Sequence, residues 1–374
     1  MKPLTPRYLA LDVLRGLTIA LMIVVNTPGN WNAIYAPFKH SDWHGFTLTD
    51  LVFPTFLFVV GNALSFSMGK LSTLSHTDFL KKVLKRTFII FLIGVLLHAF
   101  PFVRYEDGHY VLKDLTATRL WGVLQRIALC YCAAALLIRY TTTKTVIIIS
   151  IAILFVYWWL LYQFGTDPGP YTLEGNAIGR LDRLYLPVEN IYKHYKFPFD
   201  PLGLLSTLPA IVNVVAGYFA GVFVQERGNK PGTIIRLIAA GIILVAAGMV
   251  WNTGFPINKP LWTSSYVVYT TGFDLLLLGV LIWTIDILQV KKWTYFFEVF
   301  GKNPLFIYII AWVVIVLLHL VRINGPSVGG LIYRHGFTSW LGDKDASLLY
   351  SIAYMLLIWL IGYWMDRRKM YVKV

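Results

Sequence analysis

Long apolar runs, each ended by a short polar or charged stretch, recur along the whole chain. A hydrocarbon core about 30 Å thick is crossed by a helix of about 20 mostly apolar residues. Runs of that kind lie near 8–27, 48–68, 83–102, 118–140, 144–164, 202–225, 234–251, 261–285, 303–321 and 347–365. Backbone in lipid must satisfy its own hydrogen bonds, so each run is read as a helix. The pattern predicts an all-α integral membrane protein of about ten transmembrane helices, with residues 1–374 forming a single domain. The first run follows Lys2 and Arg7, as a signal peptide would. Asp12 and Arg15 interrupt it and no small-residue cleavage site follows, so it is expected to stay in the mature protein.

The connections sort by charge. An even number of spans puts both termini on one side, and the positive-inside rule makes that side the cytoplasm. Lys70, Lys81, Lys82, Lys85 and Arg86 then fall inside, as do Arg139, Lys144, Arg227, Lys230, Arg236, Lys291, Lys292 and Arg367–Lys369. The other side receives the long loops near 28–47, 103–117, 165–201 and 322–346, with Glu106, Asp107, Asp114, Glu174, Asp182 and Glu189. Function carried on loops is expected there.

Composition agrees with a bilayer as solvent. The chain is 57% hydrophobic and 14% charged, with mean hydropathy +0.63; a soluble domain carries about 25% charge to cover its surface. Thirteen Trp and twenty-two Tyr suit two membrane interfaces. The net charge of +14 comes from clusters between spans, not from a basic arm or a basic face with interleaved aromatics, which excludes nucleic acid as a partner. Cys130 and Cys132 share one span and are read as packing residues, with neither a disulfide framework nor zinc.

Ionisable groups at membrane depth are costly and normally find partners. Asp12 and Arg15 are three apart on one helical face near the cytoplasmic end; they form either a local ion pair or, through Arg15, a phosphate contact. Arg126 has no acid at helical spacing, so its partner must come from another span or a ligand. Asp274 is expected to pair with Arg126 or with Lys302. His98 and His319 fall near outer span ends.

The densest chemistry lies between the first two spans. Asn26 ends the first, a loop carries Lys39-His40-Ser41-Asp42-Trp43-His44, and Asp50 opens the second, followed by Pro54. An imidazole titrates near neutral pH and suits a general base. Asn26 is placed to donate to a developing oxyanion and Asp50 to orient the imidazole. The alternative is a solvated polar loop. His40 and His44 at i,i+4 lack an acidic third ligand, so no metal is expected.

These residues resemble the heparan-α-glucosaminide N-acetyltransferases and their bacterial NagX-like relatives. The resembling pieces are Leu11-Asp12-Val13-Leu14-Arg15-Gly16, the Asn26 turn, Lys39–Trp43, Thr49–Pro54 and Gly122–Arg126. Asp182-Arg183-Leu184, Asp200–Thr207, Leu261–Tyr266 and Gly301–Pro304 continue the series in order. The resemblance implies acetyl transfer from cytoplasmic acetyl-CoA to the amine of an extracytoplasmic, glucosamine-type amino sugar or glycan, at a bacterial cell membrane. It implies His40 as the catalytic residue with Asn26 beside the acetyl group. Arg15 and Arg126 are then the candidate contacts for the coenzyme A phosphates, and Trp43, His44, Asp182 and Lys259 for the sugar. A homodimer is compatible with this reading. The other classes that polar residues on several spans would suit are a transporter or flippase for a sugar-linked substrate and an O-acyltransferase of cell-envelope glycans.

Overall fold

The computed structural model describes residues 8–372; Lys2 and Arg7 lie outside the described residues. In chain order the helices are α1 (Leu9–Asn26), α2 (Leu48–Leu71), α3 (His76–Ala99), α4 (Val123–Tyr140), α5 (Thr143–Gln163), α6 (Ala177–Tyr185) and α7 (Thr207–Arg227). They continue as α8 (Pro231–Trp251), α9 (Ser264–Ile282), α10 (Thr294–Lys302), α11 (Pro304–Leu320), α12 (Val328–Tyr333) and α13 (Asp343–Arg367). A short π-helical segment, Trp283–Ile287, prolongs α9. Every expected apolar run is occupied by a helix. One hairpin, β1 (Val103–Glu106) paired antiparallel with β2 (His109–Leu112), departs from the all-helical expectation.

Among the described residues eight helices are long and apolar enough to cross a membrane, and the bent pair α10–α11 supplies a ninth. That pair turns by 86° at Asn303-Pro304. Proline lacks the N–H that would continue α10, and its ring disfavours helical backbone at the preceding residue. The expected span near 83–102 is α3, which starts at His76 and carries Lys81, Lys82, Lys85 and Arg86 in its first half, so only its second half is apolar. Residues 118–122, expected in a span, form the approach to α4 instead.

Burial separates centre from periphery. Two-thirds (67%) of the α1 span is buried, against 28% for α5 and α8, whose Ile148, Phe155, Ile243 and Val250 face outward. Close crossings hold the centre. A Cβ on Gly61 of α2 would lie 1.8 Å from Val214 O of α7, and one on Gly217 of α7 would lie 1.9 Å from Phe58 O of α2. Each backbone occupies the space that a side chain would need on the other. In lipid, where apolar burial does not favour one helix contact over another, such small-residue seams drive packing.

The connections gather at two ends. At one, Trp43 Nε1 donates to Tyr171 O at 2.7 Å, Asn190 Nδ2 to Thr118 O at 2.8 Å, Tyr35 Oη to Asp345 Oδ1 at 2.6 Å and Tyr110 Oη to Leu320 O at 3.1 Å. The loops assigned to a common side by charge thus meet one another. At the other end Asn229 Nδ2 donates to Asp286 Oδ2 (2.7 Å), and Lys302 pairs with Asp366 (3.0 Å). The short basic connections lie there.

Replacing Gly217 with Val forces the α2 backbone away from α7. Overpacking of this kind costs about 1–3 kcal/mol. The purified variant should unfold at a lower temperature in detergent, and an unchanged midpoint would show that the seam is looser than its geometry.

Candidate active site

The site is built on the first turn of α2. Thr47 and Asp50 form a capping box: the Asp50 Oδ2 accepts from Thr47 N (3.0 Å), Thr47 Oγ1 (3.0 Å) and Ser41 N (3.1 Å). Those donors are the orphan N–H groups of a helix start and a folded loop. The other oxygen, Oδ1, lies 2.7 Å from His40 Nδ1 and 3.5 Å from Lys259 Nζ. Asp50 is fully buried, whereas the His40 side chain is half exposed. With its proton on Nδ1 and donated to Asp50, the imidazole leaves the Nε2 lone pair for a reactant.

Pro54 contributes to this placement. It has no N–H to give Asp50 O, its partner four residues back. Tyr266 Oη of α9 donates to that carbonyl instead, at 2.6 Å. Trp262, on the turn leading into α9, packs edge-on against Phe53 (5.1 Å) and Tyr266 (5.2 Å). The first turn of α2 is therefore clamped both through its carboxylate and through its backbone.

Lys259 comes from the α8–α9 connection. Its Nζ lies 3.2 Å from His40 Nδ1 and donates to Thr49 O at 3.4 Å. The neighbouring Asn258 fixes the segment: Nδ2 donates to Trp43 O (2.9 Å) and Oδ1 accepts from Leu261 N (2.7 Å). Burial brings the Lys259 ammonium down to about 8, against the pull of Asp50. Partial burial and then the Lys259 charge hold the His40 imidazole below its ordinary range, with Asp50 acting in the opposite direction. The balance of these effects favours the neutral ring.

The other expected site residues fall in different places. Asn26 closes α1 with an exposed side chain at the same loop end, and no hydrogen bond joins it to His40 among the described residues. Trp43 is half buried and packed edge-on against Tyr195 (6.0 Å) and Phe199 (5.6 Å). His44 Nδ1 accepts from Asn258 Nδ2 at 3.3 Å, which ties His44 to the Lys259 segment. Arg15 is at the opposite end, 3.4 Å from Asp12 Oδ1 and donating to Gly301 O at 3.2 Å.

Three expectations are corrected. Arg126 was expected, with Arg15, to contact the coenzyme A phosphates, but α4 starts at the loop end and Arg126 lies in its first turn. It is fully buried, donating from Nη2 to Pro201 O, Gly203 O and Ser206 Oγ, with its guanidinium 4.9 Å from the Trp262 ring centroid. The two arginines do not form one phosphate site. Asp182, expected to touch a sugar, is fully buried and accepts from Tyr185 Oη at 2.6 Å; burial raises its carboxyl to about 6. Gly203 packs directly against it, since a Cβ there would lie 2.1 Å from Asp182 Oδ2. Asp274 pairs with neither Arg126 nor Lys302: its Oδ1 accepts from Thr55 Oγ1 at 2.5 Å, and Lys302 is taken by Asp366.

The order of these pieces along the chain has counterparts. Residues 7–248 match the family described as heparan-alpha-glucosaminide N-acetyltransferase, catalytic. The chain belongs to that family. It is 29% identical to the human heparan-alpha-glucosaminide N-acetyltransferase over 364 residues, covering 83% of this chain and 53% of the relative. The mouse protein of that name is also 29% identical, over 358 residues, covering 81% of this chain and 53% of its own length. The chain spans about half the length of these relatives. The family match holds Asn26, His40, Asp50, Arg126 and Asp182 and ends before Lys259 and Tyr266.

Sequence reasoning missed Tyr266, Ser41 and Thr47 as parts of the site. Pro54, four residues after Asp50, was the available signal, because it leaves a carbonyl that another element must satisfy. Replacing Tyr266 with Phe removes that donor, and an unmet buried carbonyl costs about 1–3 kcal/mol. The variant should lose thermal stability by that order. An unchanged midpoint would mean that water or another donor replaces the hydroxyl.

Proposed function

We propose that this protein is a transmembrane acetyltransferase. It moves the acetyl group of cytoplasmic acetyl-CoA to the amine of an extracytoplasmic amino sugar, of the glucosamine type. The observation that carries the reading is the His40–Asp50 pair, buried on its Asp50 side and open on its His40 side, at the loop end of a bundle belonging to this family. The carboxylate sets the tautomer and orientation of the ring, and Nε2 faces the space from which an acceptor arrives. The enzyme is a multi-pass cell-membrane protein, with the long loops outside and the basic connections in the cytoplasm.

In this mechanism the acceptor amine attacks the thioester carbonyl and His40 Nε2 takes its proton as the N–C bond forms. The carbonyl oxygen gains negative charge, which Asn26 meets with an N–H from the end of α1. The C–S bond then breaks and its electron pair leaves with the coenzyme A sulfur. Asp50 stays ionised throughout and stabilises the imidazolium while it exists. Arg15, at the basic end, is the phosphate contact retained from the sequence reading. Arg126 serves at the opposite end, where it holds the 201–206 segment against α4 and Trp262. Trp43 and the aromatic side chains behind it form the wall against which a sugar ring packs.

Loss of a general base costs about 10²–10⁴-fold in rate. His40→Ala, assayed with labelled acetyl-CoA and glucosamine, should therefore lose measurable turnover while coenzyme A binding persists. His44 is the comparison residue: it shares the loop and residue type but engages Asn258, so His44→Ala should cost less turnover than His40→Ala. If His44→Ala is inactive while His40→Ala retains near-normal turnover, the assignment is wrong.

Sidedness is tested separately. A cysteine placed at Ser41 should react with an impermeant thiol reagent from outside intact cells, and one placed at Ser72 only after the membrane is opened. The reverse pattern would overturn both the orientation and the route of the acetyl group.

A further inference from the structure

Lys259 was expected to touch substrate, yet its ammonium is turned to His40 and Asp50. We infer that Lys259 is a positioning residue that shares the Asp50 carboxylate and thereby keeps the His40 imidazole a free base. The inference deepens the acyl-transfer reading and rests on it only for the activity measurement described below.

The argument begins with what a buried carboxylate does to an imidazole. Alone, an Asp–His pair at 2.7 Å favours the imidazolium, because the negative charge stabilises the added proton. An imidazolium cannot accept a proton from an amine. Asp50 is needed to hold the ring, so its charge must be offset without removing it. Lys259 Nζ does this from 3.5 Å on the same oxygen, Oδ1, that faces His40. At 3.2 Å from Nδ1 the ammonium also opposes a second proton on the ring. With Nδ1–H donated to Asp50, the ammonium directs its own hydrogens to Oδ1 and to Thr49 O.

The charged groups facing His40 come from four elements. Lys39 and Asp42, in its own loop, are exposed and paired at 2.9 Å, so they nearly cancel. The α2 start contributes Asp50. The α8–α9 connection contributes Lys259, and the segment near 194 contributes His194, whose protonation would act in the same direction as Lys259. Among these groups Lys259 is thus the cation nearest the ring, acting on it directly. Its approach is not incidental: Asn258 is bonded to Trp43 O, His44 Nδ1 and Leu261 N, which sets the backbone one residue away. His44 thereby supports the site through the Lys259 segment.

The measurement is the pH dependence of His40 in the full-length protein, read in two ways. Diethyl pyrocarbonate modifies only neutral imidazole, and mass spectrometry of the His40 peptide gives its titration without any turnover. The second reading is the acidic limb of kcat/KM for acetyl transfer to glucosamine. Lys259→Met and Lys259→Gln should move both the modification curve and the acidic limb to higher pH. On the limb the variants should be about tenfold slower for each pH unit it has moved, and rate should recover on the alkaline plateau. Lys259→Arg keeps the charge and should restore the wild-type limb. The Gln variant keeps a polar contact to Thr49 O, so it supplies the neutral side chain if Met disturbs the fold. A His40 modification curve at the same pH in wild type and the neutral variants overturns the inference. So does a uniform loss of rate at every pH, which is the mark of a substrate contact or a packing role. If the wild type transfers no acetyl group to any amino sugar, the acyl-transfer reading fails, and the modification curves still decide the role of Lys259.

Discussion

One buried carboxylate organises the loop end of this protein. Asp50 accepts from the backbone of Ser41 and Thr47 and from the Thr47 hydroxyl, and faces both His40 and Lys259. Burying an ionised group without such partners is prohibitive, so the carboxylate forces a helix cap, a loop and a distant connection to converge. The position at a helix start adds the favourable end of the helix dipole. Its backbone carbonyl, freed by Pro54, recruits Tyr266 as well. Structure and chemistry therefore share one residue: the interactions that end the loop are the interactions that aim the imidazole.

The bundle around it obeys the constraints of lipid. Apolar side chains on α5 and α8 face outward because the solvent there is as apolar as they are. Contacts between central helices instead come from backbone approach at glycines such as Gly61 and Gly217, and from polar groups that satisfy one another inside. Arg126 illustrates the second case. A guanidinium is buried, and the carbonyls of Pro201 and Gly203 and the Ser206 hydroxyl accept from its Nη2 beside the Trp262 ring. Nearby, Arg119 makes two bonds to the buried carboxylate of Asp200, at 2.8 and 2.6 Å, and lies over the Tyr192 ring. The loop end is thereby a connected polar layer and not a set of free loops.

This separation of ends suits a reaction whose two substrates reside in different compartments. The basic connections collect at one end and the aromatic, hydrogen-bonded loops at the other.

What the sequence determined by itself is what depends on near neighbours. Apolar run length marked every span as a helix, charge alternation sorted the connections into two groups, and Asp50 was legible as opening the second span after the His40 loop. Family membership was also legible, because its motifs are short and keep their order. Boundaries slipped where basic residues occupied the first half of a helix, as in α3, or where non-helical backbone preceded one, as at 118–122. Tertiary structure decided the rest. Lys259 reaches His40 across 219 positions and Tyr266 reaches Asp50 across 216. Arg126 and Arg15 lie at opposite ends, Asp182 is buried against Tyr185, and Asp274 meets Thr55. The reason is physical: hydropathy fixes that a helix is buried in lipid but not its rotation or its neighbours. Which polar groups meet inside is settled only when all the helices pack and each buried charge must find its partner.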